Sequence, residues 1–134
     1  MKHRPGSMLL EAALAITLLL AAAAAMTQLL LLAAHQRRQA DRRALATREA
    51  ANVIERIVAQ PWPEITADRV KDYELSQEAL HWLREPELEI QVSDEDLAVD
   101  SKRVDVSVRW QSSAGLPAEA VELSAWTFSQ VDGE

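Results

Sequence analysis

From Ala12 to Ala34 the chain runs for 23 residues without a charged side chain. As a helix this run covers about 35 Å, enough to cross the hydrocarbon core of a bilayer with some tilt. A chain of 134 residues is too small to bury so long an apolar helix inside a core of its own. The run therefore demands lipid or other apolar helices around it, and it leaves room for one small domain downstream. One residue does not fit. Glu11 interrupts the wider apolar stretch from Met8 to Ala34 at its fourth position. A carboxylate in lipid costs on the order of 2–3 kcal/mol unless it is paired.

Charge is divided along the chain. Lys2, His3 and Arg4 make a short basic head. Residues 35–60 carry six arginines (Arg37, Arg38, Arg42, Arg43, Arg48, Arg56) against the three acids Asp41, Glu49 and Glu55. Residues 61–134 carry six basic against seventeen acidic side chains, a balance that repels phosphate backbones, so no nucleic-acid partner is expected. Cysteine is absent, which removes disulfide frameworks and thiolate metal sites.

Downstream of the apolar run, QRRQADRRALATREAANVIERIVAQ continues the helical period without Gly or Pro. Leu45, Val53, Ile54, Ile57 and Val58, with Ala46 and Ala50 between them, form one apolar stripe. Pro61 and Pro63 forbid continuation. The expectation is a single helix from about Ser7 to Ala59, apolar all round in its first half and one-faced in its second. SQEALHWLR predicts a brief helix capped by Ser76 with Leu80 and Leu83 inward. The period then changes to two. Leu88, Ile90 and Val92 alternate in ELEIQV, and Val104, Val106, Val108 and Trp110 in KRVDVSVRWQ. In AVELSAWTFSQ the set is Val121, Leu123 and Ala125, with Trp126 and Phe128 on the opposite, exposed face, where they mark a subunit contact. Joined by the loops SDEDLAVDS and SSAGLPAE, these segments predict an antiparallel meander of three strands covered by the Leu45–Val58 stripe. The fold class expected is α+β: a long N-terminal helix, membrane-spanning in its first half, with a small antiparallel sheet packed on its C-terminal half.

Residues that carry chemistry are sparse. His35 and His81 stand in no metal or triad spacing, and Gly115 and Gly133 belong to no phosphate-binding loop. Neither an enzymatic activity nor a cofactor is expected. Asp94, Asp96 and Asp100 fall in one predicted loop and are the candidate metal ligands, but their spacing departs from an EF-hand and lacks its Gly, so a solvated acidic loop is expected instead. Arg37, Arg38, Arg42 and Arg43 are placed at the membrane surface. There Arg37 and Arg38 stand at pairing distance in sequence from Asp41, and the others reach lipid phosphates or acids on an adjacent subunit.

A basic leader ending in Gly6, a Glu five positions later, an apolar helix, an amphipathic continuation and a C-terminal sheet occur here in that order. The combination resembles the type IV pilins and the type II secretion pseudopilins, including their prepilin-type cleavage and methylation motif. The family's Phe-Thr-Leu-Ile-Glu reads Ser7-Met8-Leu9-Leu10-Glu11 in this chain. The resemblance implies cleavage by a prepilin peptidase between Gly6 and Ser7, N-methylation of Ser7, and Glu11 as the assembly residue, paired with the new amino terminus of its own or a neighbouring subunit. It also implies four segments: leader 1–6, transmembrane and assembly helix 7–34, amphipathic continuation 35–60, and a small periplasmic α+β domain 61–134. Its implied role is structural, that of a minor pseudopilin or minor pilin in the inner membrane with a cytoplasmic N-terminus. Implied partners are other pilin or pseudopilin subunits, the prepilin peptidase, the inner-membrane assembly platform with its ATPase, and membrane lipid.

Two other readings of the same residues stay open. A secretory signal would be cut near Ala25, although the apolar run continues past that point to Ala34. An uncleaved single-pass anchor would carry a small soluble interaction domain. Counting Lys and Arg, with Arg37, Arg38, Arg42 and Arg43 outweighing Lys2 and Arg4, puts the C-terminal domain in the cytoplasm, opposite to what the resemblance implies.

Overall fold

A computed structural model describes residues 5–96, 100–112 and 119–129. Its first element, helix α1, is Pro5–Val58. By its contacts the chain divides into two units, residues 1–40 and 41–134.

The first unit consists of the N-terminal part of α1. Pro5 takes the opening helical position, where a missing N–H costs nothing because that group has no partner in the helix anyway. Thr17 donates its hydroxyl to the Leu14 carbonyl at 2.8 Å, and Thr27 donates to the Ala23 carbonyl at 2.9 Å, so both polar groups are absorbed by their own helix. Every residue from Gly6 to Arg38 is exposed. Thirteen large apolar side chains between Met8 and Leu32 are each 55–74% exposed. At roughly 1.5–3 kcal/mol for each side chain left in water, that exposure forfeits about 20–40 kcal/mol, against a typical net domain stability of about 5–15 kcal/mol. Water is thus a costly solvent for this segment, and α1 is long and apolar enough to cross a membrane.

In the second unit the C-terminal part of α1 supplies one wall of the core. Ala46, Ala50, Val53 and Ile57, spaced by three and four residues, are at most 1% exposed. Leu45 and Ile54 flank this line partly buried, while Val58 lies at its exposed margin. The stripe is thus centred on smaller residues than its Leu and Ile positions suggest. Small side chains on the helix leave volume for large ones from the sheet, of which Trp110 is the biggest fully buried.

After Pro61, two short 3₁₀ turns (Trp62–Glu64 and Arg69–Asp72) lead to helix α2, Gln77–Trp82. Ser76 caps α2 by accepting the Ala79 N–H at 3.1 Å. Ala79 and Leu83, one turn apart, point into the core, but Leu80 is 48% exposed. The expected inward Leu80 is thereby corrected. With Ala79 and Leu83 setting the inward line, the next residue is rotated by about 100° away from it.

Strands β1 (Glu87–Asp96), β2 (Asp100–Trp110) and β3 (Glu119–Phe128) form an antiparallel sheet in the order β1-β2-β3, the meander that the alternation predicts. Three apolar rows cross its inner face: Leu88–Val108–Val121, Ile90–Val106–Leu123 and Val92–Val104–Ala125. The strands extend further than the sequence suggests. Most of the predicted SDEDLAVDS loop is ladder, because Asp94 pairs with Lys102 and Asp96 with Asp100. The Ser101 hydroxyl, which donates to the Glu95 carbonyl at 3.0 Å, ties the two strands together within this stretch. The fold is α+β, with a three-stranded antiparallel sheet packed on the C-terminal part of a long N-terminal helix.

Truncating the helix side of this core should be far more damaging than truncating the leucine that faces out. Ile57→Ala is expected to cost about 2–4 kcal/mol and Leu80→Ala less than about 0.5 kcal/mol. Urea unfolding of the full chain in detergent micelles, followed by tryptophan fluorescence, reads both, and equal losses would contradict the packing described.

Candidate functional site

Gly6, Ser7 and Glu11 lie in the opening turns of α1. A Cβ added at Gly6 would meet nothing within 4 Å, so packing within the chain gives no reason for a glycine there. Ser7 and Glu11 are both exposed and, four residues apart, occupy one face of the helix. Among the described residues Glu11 has neither a hydrogen-bond donor nor a cation within reach. An amino terminus created at Ser7 would stand one turn away on the same face, where an ammonium and a carboxylate attract.

The four interface arginines fall on both sides of the division between units. Arg37 and Arg38, in the first, are exposed; in the second, Arg43 is exposed and Arg42 half-buried. Arg48, one turn beyond Arg43 and its neighbours, pairs with Glu78 at 2.6 Å.

Two buried charges organise the second unit, and neither is visible as a motif. Glu49, 5% exposed, lies on the core line of α1. Its carboxylate accepts the Ser76 backbone N–H at 3.1 Å and the Ser76 hydroxyl at 2.9 Å. Ser76 in turn caps α2, so a carboxylate on α1 sits at the positive end of another helix and satisfies the donors there. Lys102, 7% exposed, continues the inward parity of Val104, Val106 and Val108. Its Nζ donates to the carbonyls of Ile65 at 2.8 Å and Trp62 at 3.1 Å, and lies 4.3 Å from the centre of the Trp62 ring. Both roles were available in the pattern: Glu49 falls three residues after Ala46 and four before Val53, and Lys102 two before Val104.

The outer face of the sheet is polar along most of its length and aromatic at one end. Trp126 is 46% and Phe128 54% exposed. The indole N–H of Trp126 donates to Glu95 at 3.0 Å, and the Arg103 guanidinium lies 5.4 Å from its ring centre. Arg103 also binds Asp105 at 2.9 Å, and Asp105 accepts the Ser124 hydroxyl. Such exposed pairs contribute little stability, roughly 0–1 kcal/mol each. They do fix the orientation of the Trp126 ring on a surface that nothing among the described residues covers.

Asp94 and Asp100 are strand residues in cross-strand pairs with Lys102 and Asp96, not members of an open loop, and the Asp96 side chain lies outside the described residues. Among the described residues no three His, Cys, Asp or Glu side chains converge as a metal site requires. His81 is exposed and stands edge-on to Trp82, 5.4 Å between ring centres. An open cleft between Asn52, Arg56 and Glu74 reaches Glu49, whose oxygens are already occupied by Ser76.

No protein-family model matches the chain, and neither a curated protein nor a solved structure matches it.

The link between Glu49 and Ser76 makes a measurable prediction. Removing the acceptor by Glu49→Ala should cost about 1–3 kcal/mol, and Ser76→Ala about 1 kcal/mol. Because each substitution also breaks the other residue's bonds, the double variant should lose less than the sum. A strictly additive double-mutant cycle in urea would show that the two residues stabilise the domain separately.

Proposed function

We propose that this chain is a structural filament subunit of the pilin type, a minor pseudopilin or minor pilin, cut between Gly6 and Ser7. The segment from Ser7 to Ala34 holds it in the inner membrane with the leader in the cytoplasm and the domain in the periplasm. From there it is drawn into a filament whose interior is made of apolar helices. The observation that supports this reading best is Glu11: an exposed carboxylate, five residues after a glycine that packing does not require, at the head of an uncovered apolar helix. A carboxylate in that position needs a cation that the uncut chain does not offer among its described residues. Cleavage creates one at Ser7, and a neighbouring subunit brings another.

The role is mechanical. The apolar side chains exchange lipid for the helices of neighbouring subunits with little change in hydration, so extraction from the membrane need not expose them to water. Pairing of Glu11 with an incoming amino terminus sets the axial position of one helix against the next. Trp126 and Phe128, together on the outer sheet face, are the proposed contact of the domain with an adjacent subunit. The other partners in this reading are a prepilin peptidase and an inner-membrane assembly platform.

Intact mass of the membrane-fraction protein, with and without a prepilin peptidase, tests the reading directly. The expected product starts at Ser7 only when the peptidase is present, with or without an added methyl group. A start near Met26 would identify a secretory signal instead, and a start at Met1 in both samples would leave an uncleaved anchor. Glu11→Leu is expected to leave cleavage and membrane retention intact while filament incorporation falls at least tenfold, since an unpaired ammonium in lipid costs on the order of 2–3 kcal/mol. Incorporation is read by sedimenting sheared filaments.

A further inference from the structure

The outer face of the sheet holds a hydroxyl that the fold leaves unused. Ser107 stands near the middle of β2, between Glu89 of β1 and Glu122 of β3 in a single cross-strand row. The residue is half-buried, yet among the described residues its Oγ is buried without a hydrogen-bond partner. A buried hydroxyl left unpaired costs free energy and calls for a reason. Ser124, one row away on the same face, has a partner, because it donates its hydroxyl to Asp105.

Ser107 lines a cleft of about 250 Å³ whose other walls are Glu89, Gln91, Asp105, Glu122, Ser124 and Arg103. Three carboxylates against one guanidinium leave those walls negative. Two of the acids also meet groups of their own chain. Asp105 binds Arg103 at 2.9 Å, while Glu89 accepts the Gln91 amide at 2.9 Å and lies 3.7 Å from Arg109. A carboxylate offers about four acceptor sites, so these contacts do not exhaust either group.

The spacing selects the ligand. A metal ion draws its donors into one tight sphere, and among the described residues no three acids converge in that way. The row from Glu89 through Ser107 to Glu122 spreads its acceptors instead, over about 10 Å between the outer Cα atoms. A guanidinium suits such a row because it is planar, carries its donors in a fixed fork and engages acceptors on two sides at once. It is also weakly hydrated, so a half-enclosed site desolvates it at low cost. The cleft is smaller than those that take drug-sized ligands and has room for one side chain. Arg103 lines the cleft and also lies 5.4 Å from the centre of the Trp126 ring, so the cleft continues into the exposed aromatic end of the sheet. A chain lying across this face covers both.

We propose that the cleft over Ser107 receives the guanidinium of an arginine side chain on a partner chain, held between the Glu89 and Glu122 carboxylates with Ser107 Oγ as a third acceptor. The assignment rests on the reading of the outer sheet face as a partner contact, and it is independent of cleavage at Gly6.

The full chain, isotope-labelled in detergent micelles, is titrated with a capped Ala-Arg-Ala peptide and with its lysine and citrulline counterparts, citrulline having the shape of arginine without the charge. Saturable shifts of the Glu89, Ser107 and Glu122 amides are expected with arginine, with binding about threefold weaker for lysine and about tenfold weaker for citrulline. Glu122→Gln should weaken arginine binding about two- to fivefold. Ser107→Ala should weaken it too, while urea unfolding finds the domain no less stable, because the substitution removes an unpaired buried hydroxyl. Arginine and citrulline peptides binding alike, lysine binding as tightly as arginine, shifts confined to other faces, or a Ser107→Ala domain that is destabilised and binds as before would each overturn the site. N-ethylguanidinium binding about tenfold tighter than the peptide would assign the cleft to a small free cation and overturn the partner side chain. A chain that keeps Met1 in the presence of the peptidase leaves this titration unchanged, so the two readings fail separately.

Discussion

The rest of the structure depends on the contrast between the two surfaces that α1 presents along its length. Its first stretch presents large apolar side chains in every direction, and its last presents a narrow line of Ala46, Ala50, Val53 and Ile57 backed by a charged surface. A helix is the one regular element that tolerates both, because its backbone hydrogen bonds are internal and do not depend on what surrounds it. Only the side chains declare the environment. The change occurs around Arg37 to Arg43, where guanidinium groups replace the alkyl surface.

On the domain side the same economy of means recurs. The meander buries one face against α1, so its inner rows are apolar and its outer rows are Glu, Arg, Ser and Gln until the aromatic end at Trp126 and Phe128. Where the inner face runs out of apolar residues, Lys102 closes it by turning its ammonium onto the carbonyls of the turn after Pro61. A buried lysine is tolerable there because peptide carbonyls and an indole face replace the water it loses.

Much of this architecture was legible in the chain because it follows from periodicity. The alternation of Val104, Val106, Val108 and Trp110 can face a core in only one way, and two prolines after Ala59 can only end a helix. Misreadings came where a residue's type and its position disagree. Glu49, counted only among the acids of residues 35–60, is buried on the stripe and holds Ser76. Leu80 reads as core and is turned outward by the stronger line of Ala79 and Leu83. The aspartates after Gln91 read as a loop, yet the ladder carries on through them to the pair of Asp96 with Asp100. The candidate site at Gly6, Ser7 and Glu11 is legible only as a spacing, and no contact among the described residues adds to it.

Ser76 sits at a junction whose consequence concerns the order in which the domain assembles. A helix of six residues cannot sustain itself in water, because nucleation costs more than so few hydrogen bonds return. The hydroxyl that starts α2 is oriented by a carboxylate 27 residues upstream on another helix. Residues 77–82 therefore have no stable local fold of their own to contribute to a search for the native state. Their helix depends on docking against α1 with Glu49 in place, which makes this segment a reporter of completed docking.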